Sequence, residues 1–345
     1  MKTDFFVPEI SKQNNFTLLR MLCCLIIIYE HSVFLSNSSY INLNLCWYAV
    51  RVFFILSGFW VTFSLLRSKS LKEYALKRFK KIFPLYWTIV IGFALILSSV
   101  SSLSFYEYFK NIDFYKYLAA NLSTLNFLCQ SLPGVFEGLP LEGAVNGALW
   151  TIKVEVGFYI ILPFILFLIN KFSKKFTENI EMNGLIILFI IFILSVTYSV
   201  LCDFVCKHYG LSDSLKNQLP AFMTYFVCGM TFCLYWEKLE TLLNYLIFPA
   251  FIIIILIKFM PVEFISYIFI PICLSIVVFW FGTHIIFFSS LCKDDYSYGM
   301  YLIHVPFLML CVQYGYFESN FYFALFLVFS ASFLCSYLWE KHSKK

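Results

Sequence analysis

Runs of about twenty apolar residues recur along the whole chain, separated by polar breaks, and they restrict what it can fold into more than any other feature. Roughly 20 such residues are what a helix needs to cross the ~30 Å hydrocarbon layer, where a backbone must satisfy its own hydrogen bonds. Ten runs qualify, at 16-35, 47-66, 82-100, 149-170, 184-202, 220-236, 243-260, 264-289, 298-316 and 320-339. A soluble alternative fails on composition, because with 61% apolar and 13% charged residues too few polar side chains remain to cover a surface. The expected fold class is an all-α polytopic membrane protein of about ten transmembrane helices, forming one integral-membrane domain over 1-345 with no additional soluble domain. The long connection 101-148 holds a half-apolar stretch at 115-130, suited to lying along the interface or re-entering. The twelve cysteines are scattered through apolar runs and read as small hydrophobes, not as a disulfide framework.

Lysine and arginine stay on the cytoplasmic side during insertion. The segment from Arg67 to Lys81 carries seven of them between the second and third runs, which places that loop and both termini in the cytoplasm. Under a ten-span count Lys171, Lys174, Lys175, Lys238, Lys293, Lys341, Lys344 and Lys345 also fall inside, and Lys110, Lys116, Lys207 and Lys216 outside. The first run lacks a small-residue cleavage site after it and reads as a retained helix. The net charge of +5 follows from this bias and forms no clustered basic surface for nucleic acid.

Ionisable residues inside such helices are costly and therefore candidates for function. Arg20 and His31 stand eleven residues apart in the first run, about three turns plus 20°, so they share one helix face with about 16 Å of rise between them. Cys24 and Ile27 lie between them on that stripe. Either His31 and Arg20 serve chemistry, or Arg20 reaches lipid phosphate and His31 bonds a neighbouring helix. Arg51 and Glu155 fall at depths compatible with His31, in the outer half under this topology. A base, a cation and a carboxylate together can orient an imidazole and stabilise developing charge; alternatively Arg51 pairs with Glu155 or Glu30 as a structural ion pair. Glu155 and Tyr159 are four apart on one face, which also suits a helix contact. Among remaining candidates, no His/Cys set has metal-ligand spacing, and no phosphate loop or serine-hydrolase elbow is present in the sequence.

Several segments in order resemble the membrane-bound acyltransferase-3 family of bacterial glycan O-acyltransferases. They are Arg20 with His31 after ten intervening residues, FFILSGF at Phe53 to Phe59, RFKKIFPLYW at Arg78 to Trp87, LWTIKVEVGFYIILP at Leu149 to Pro163, YSYGMYLIH at Tyr296 to His304, and SYLWEK at Ser336 to Lys341. Arg51, Val156 and Glu30 depart from the family's usual residues at their positions.

The resemblance implies an O-acyltransferase, acetyl being the family default, that takes an acyl group from cytoplasmic acyl-CoA and delivers it to a hydroxyl of a cell-surface polysaccharide or lipid-linked glycan, such as O-antigen, capsule or exopolysaccharide. It implies a location in the bacterial inner membrane, acyl-CoA as donor substrate with no permanently bound cofactor or metal, and no nucleic-acid partner. His31 would serve as general base or transient acyl acceptor, with Arg20 and Glu155 as catalytic partners. Arg20, Arg78, Lys81, Tyr298, Tyr301 and His304 would hold the donor, whose phosphates call for cations, and Arg51 and Tyr159 the acceptor. The short tail after residue 340 leads to the expectation that no acyl-carrying extracytoplasmic domain follows. The rival from another class is a polytopic glycan exporter or polymerase whose buried charges line a sugar path; a structural or sensory membrane protein is the third reading.

Overall fold

The computed structural model describes residues 5, 7–176, 180–260, 263–285 and 289–343, the side chains of 173–176 and 263 excepted. Residues 286–288 of the run expected at 264-289, the side chains of Lys174 and Lys175, and Lys344 and Lys345 lie outside the described residues. The helices are α1 (Phe16–Leu35), α2 (Cys46–Leu66), α3 (Leu71–Ile96), α4 (Phe105–Lys110), α5 (Ile112–Leu122), α6 (Trp150–Phe176), α7 (Ile180–Tyr209), α8 (Leu219–Leu234), α9 (Trp236–Glu240), α10 (Leu243–Ile257), α11 (Glu263–His284), α12 (Ser297–Gln313), α13 (Tyr316–Ser319) and α14 (Phe321–Ser343). No strand occurs among the described residues, only an isolated bridge between Ser131 and Ala144. The protein is an all-α polytopic membrane protein.

Among the described residues, seven helical stretches are long and apolar enough to cross a membrane: Phe16–Leu35, Cys46–Leu66, Leu71–Val100, Gly147–Phe172, Ile180–Tyr209, Phe264–His284 and Phe321–Ser343. The runs expected at 220-236, 243-260 and 298-316 instead form helices of 16, 15 and 17 residues. At 1.5 Å per residue they rise about 22–26 Å, short of the ~30 Å layer. In α12 the cause is local: Gly315, at φ +67°, takes the left-handed conformation two residues past the helix and ends it. A second difference concerns the basic segment, read above as a loop, which is helical from Leu71. Ser70 accepts a hydrogen bond from the Glu73 amide, the Glu73 carboxylate caps the Lys69 amide, and Lys77 pairs with Glu73 one turn on at 2.6 Å.

The chain divides into two compact units, with four of the five boundaries falling inside α1, α2, α3 and α6 and the fifth between α11 and α12. The first comprises Met1–Leu19, Val50–Arg78 and Val154–Lys293. Its centre is α8, buried along most of its length, where α2 and α8 approach so closely that a Cβ on Gly58 would lie 2.0 Å from the Phe226 carbonyl oxygen, and one on Gly229 2.0 Å from that of Ile55. The FFILSGF segment thus supplies a small-residue contact that lets two backbones touch. Phe158 stacks on Phe226 at 4.2 Å, and Phe16, Phe59, Phe232 and Phe279 form an aromatic cluster beside them. Phe248, Ile255 and Phe259 at α10, and Phe189 and Leu194 on α7, stay exposed, as hydrocarbon solvation allows.

The second unit comprises Arg20–Ala49, Phe79–Lys153 and Asp294–Lys345. Here α12 packs on α14, and a Cβ on Gly299 would sit 2.3 Å from the Ser336 hydroxyl, which itself donates to the Tyr296 carbonyl at 2.9 Å. The YSYGMYLIH and SYLWEK segments are two sides of this one contact. The 101-148 connection folds as short helices and turns, with an open groove of about 1110 Å³ whose lining includes Asp113, Lys116, Glu137 and Glu142.

Proline within a helix leaves the carbonyl four residues earlier without its donor. Pro163 does this to Tyr159, and the Tyr74 hydroxyl takes that carbonyl at 3.0 Å in the first unit; Pro306 does it to Leu302, and the Asn146 side-chain amide takes that one at 2.7 Å in the second.

Gly58→Ala should force α2 off α8 and cost about 3 kcal/mol or more, whereas Gly92→Ala, with nothing within 4 Å of the new methyl, should shift stability by no more than about 1 kcal/mol. Thermal unfolding of the two variants in detergent checks the contrast.

Candidate active site

The stripe on α1 that carries Arg20, Cys24, Ile27 and His31 lies in the second unit and faces α12 along its length. At one end Arg20 Nη1 is 3.2 Å from Asp295 Oδ2, both side chains being half-buried. Asp295 stands just before α12 and accepts from the Ser297 amide at 3.1 Å and from the Ser297 hydroxyl. One turn further, the Cys24 thiol donates to the Ser297 carbonyl at 3.5 Å, and Ile27 is fully buried. At the other end His31 Nδ1 is 2.8 Å from His304 Nε2, and the rings stack with centroids 5.1 Å apart. His304, expected with Tyr298 and Tyr301 at the donor end, therefore stands beside His31.

The neighbours of this histidine pair assign its protons. His304 Nδ1 lies 2.7 Å from the Tyr301 carbonyl, which can only accept, so Nδ1 carries a hydrogen. In the neutral pair His304 Nε2 is then the acceptor and His31 Nδ1 the donor. The lone pair of His31 is left on Nε2, which faces the Cys46 Sγ at 3.6 Å. A carbonyl, two imidazoles and a thiol form one continuous line.

Each member of that line is held from behind. Glu30, one residue before His31 and buried, accepts from the Leu45 amide at 2.7 Å and the Cys46 amide at 2.8 Å, fastening the start of α2 to α1. The Tyr301 hydroxyl donates to the Ala148 carbonyl at 3.2 Å and accepts from the Thr151 hydroxyl at 3.0 Å. Asn146 binds the Leu302 carbonyl, so the turn Gly147–Leu149 is tied twice to α12 beside His304. The Tyr298 hydroxyl donates to the Ile82 carbonyl at 3.0 Å, joining α12 to α3, and Lys81 is exposed on that helix.

The remaining predicted residues belong to the first unit. Glu155 accepts from the Ser57 hydroxyl of FFILSGF at 2.7 Å. The Arg51 guanidinium lies over the rings of Phe222 and Tyr225, 5.5 Å from each centroid. Arg78 donates to the Ser64 hydroxyl at 3.1 Å and lies 5.6 Å over the Tyr159 ring. Glu30, weighed above as a partner for Arg51, clamps the Leu45 and Cys46 amides.

Sequence reasoning missed Asp295, Cys46, Asn146 and Thr151. Only Asp295 left a signal, an acidic residue two before the serine that opens a helix. Asn146 and Thr151 meet residues 156 and 150 positions away, and the Cys46 thiol meets His31 across the turn between α1 and α2, which no local pattern announces.

These observations define a polytopic helical membrane protein that holds a tautomer-fixed histidine pair and an arginine–carboxylate pair along one helix stripe. The family described as an acyltransferase domain matches residues 13–340, and the chain belongs to it. It is similar to nodulation protein 10 of Rhizobium leguminosarum bv. viciae, 28% identical over 175 residues that make up 47% of this chain and 46% of that protein. It is also similar to an uncharacterized protein of Haemophilus influenzae, 31% identical over 161 residues, 44% of this chain and 61% of the relative. The matched segment thus spans about half the length of one relative and three fifths of the other. No solved structure matches the chain.

Burial alone would push the Asp295 carboxyl up; the Arg20 cation, the Ser297 hydroxyl and amide, and the charge of Lys81 outweigh it and hold the group below the ordinary carboxylate range. A lowered folded-state pKa gives stability that is present above the unfolded value and lost as pH falls through the folded one. The stability gap between wild type and Asp295→Asn should therefore stay constant from about pH 7 to 5 and close only below about 4, as thermal unfolding across pH would record.

Proposed function

We propose that this chain is an O-acyltransferase of a bacterial inner membrane, moving an acyl group, acetyl by family default, from cytoplasmic acyl-CoA to a hydroxyl of a cell-surface polysaccharide or lipid-linked glycan. Membership of the acyltransferase family supports the reaction class. The observation that carries the mechanism is the hydrogen-bond line from the Tyr301 carbonyl through His304 to His31, which leaves a directed lone pair on His31 Nε2.

A hydroxyl attacking a thioester must lose its proton as the new C–O bond forms. His31 Nε2 takes that proton, and the resulting imidazolium is stabilised through Nδ1 by His304, whose tautomer the Tyr301 carbonyl sets. The thiolate of the departing CoA then recovers the proton from His31. In this scheme His304 is a positioning residue, playing for His31 the part of the third member of a triad. Arg20 and Lys81, both within reach of Asp295, offer cations to the donor's phosphates, and Asp295 holds Arg20 in place. The rise of about 16 Å from Arg20 to His31 separates the charged end of an extended donor from its thioester. Arg78, Glu155, Arg51 and Tyr159 keep the donor, catalytic and acceptor roles that the family resemblance implies. With the basic segment 67–81 on the cytoplasmic side, this reading puts His31 in the outer half of the membrane, on the side of the glycan.

Surface glycan from cells carrying wild type or His31→Ala at matched membrane abundance should differ in ester content by about 100-fold or more, the usual contribution of a general base. The ester is read by NMR before and after mild alkali. A wild-type glycan that bears no ester, yet fails to reach the surface in the variant, would replace acyl transfer by export.

A further inference from the structure

Beside the lone pair of His31 stands a group that the reaction as described leaves idle. Cys46 Sγ is 3.6 Å from His31 Nε2, the nitrogen whose lone pair the histidine pair directs outward. Cys46 is half-buried, the first residue of α2, and in no disulfide. Its position is set by two bonds on its own helix start, the Glu30 carboxylate taking the Leu45 and Cys46 amides at 2.7 and 2.8 Å. Because Glu30 immediately precedes His31 on α1, the clamp that fixes the thiol also fixes its distance from the imidazole. A nucleophile within reach of a base, with the base oriented by a further group, is the arrangement by which a side chain becomes a covalent carrier. Here all three parts are present, and the thiol is the most nucleophilic of the side chains that such an arrangement can use.

Presupposing the acyl transfer proposed above, we infer that Cys46 is the acyl carrier of this protein, forming a thioester with the donor's acyl group before the glycan hydroxyl receives it. In the first half-reaction His31 Nε2 takes the Cys46 proton as Sγ attacks the thioester carbonyl of acyl-CoA. The bond from that carbonyl to the CoA sulfur breaks, and CoA leaves as the thiol with the proton returned by His31. In the second half-reaction His31 Nε2 takes the proton of the sugar hydroxyl as its oxygen attacks the Cys46 thioester. The C–Sγ bond breaks, and Sγ recovers the proton. No electrons are transferred, and the net change is acyl-CoA plus alcohol to CoA plus ester. His31 is thus the base in both steps, and neither step requires an acyl-imidazole. The carrier also separates the two substrates in time: the donor can leave before the glycan arrives.

The test uses the full chain in membrane vesicles. Vesicles holding wild type, Cys46→Ala or Cys46→Ser at matched abundance are given radiolabelled acetyl-CoA, quenched in acid and denatured, and the glycan ester of the same cells is measured by NMR. Wild type should carry label that neutral hydroxylamine releases and that peptide mass spectrometry places on Cys46. Cys46→Ala should carry none, and glycan ester should fall at least about 100-fold in both variants. Serine keeps a small hydrogen-bonding group beside His31, so wild-type ester content in Cys46→Ser would assign the thiol a packing role and overturn the carrier. Undiminished ester in Cys46→Ala, or hydroxylamine-labile label on His31 in wild type, would overturn it likewise while leaving acyl transfer standing. A wild-type glycan without ester would instead remove the acyltransferase reading, and the carrier with it.

Discussion

Inside hydrocarbon a backbone carbonyl that loses its helical donor has no water to turn to, and this constraint organises the second unit around α12. Pro306 frees the Leu302 carbonyl, Asn146 takes it, and the turn leading into α6 is thereby fastened to the helix that carries His304. Tyr301 strengthens the same seam through its hydroxyl, bonded to Ala148 and Thr151, while its carbonyl receives His304 Nδ1. A proline that would merely bend a helix in water here recruits a buried amide. The amide supports the peptide segment from which the tautomer of a histidine is set.

The apolar runs were legible because crossing a bilayer demands length and composition, both of which are local properties of the chain. The family segments were legible for a related reason: each is a short string of residues in one helix. Their pairings were not. His31 and His304 are 273 positions apart and Arg20 and Asp295 are 275, and nothing in one helix announces which face of another will meet it. Glu30 was visible as an acid out of place, but its partners are backbone amides, which every residue except proline possesses and which therefore leave no mark in a sequence. The basic stretch 67-81 was read for charge alone, and its Ser70–Glu73–Lys77 capping and pairing, which make it helical from Leu71, went unused. The lengths of α8, α10 and α12 escaped for a third reason: apolar and aromatic residues continue past each helix end, Tyr314 and Tyr316 among them, so hydropathy does not report where Gly315 stops α12.

Small residues account for the segments whose chemistry was least obvious. Gly58 and Gly229 bring α2 and α8 into backbone contact in the first unit, and Gly299 admits Ser336 against α12 in the second. In lipid the hydrophobic effect does not press helices together, so close packing and hydrogen bonds must do so. Ser57, next to Gly58, illustrates the coupling: its hydroxyl donates to Glu155 from the same helix turn that makes the glycine contact. A segment of this kind serves a site by controlling how near its polar neighbour comes to a partner.

The same reasoning bears on why two histidines, and not a histidine and a carboxylate, occupy one end of the stripe. A carboxylate behind His31 would bring a charge into a place where charge is expensive. His304 supplies the acceptor that the His31 Nδ1 hydrogen needs while remaining neutral, and the Tyr301 carbonyl fixes its tautomer with a dipole in place of an ion. The carboxylates that are present do other work. Glu30 spreads its charge over two amides at a helix start, and Asp295 is matched by Arg20 at the stripe's far end. Charge is thus kept in groups that are each compensated on the spot, and what stands behind the His31 Nδ1 is a neutral histidine rather than an ion.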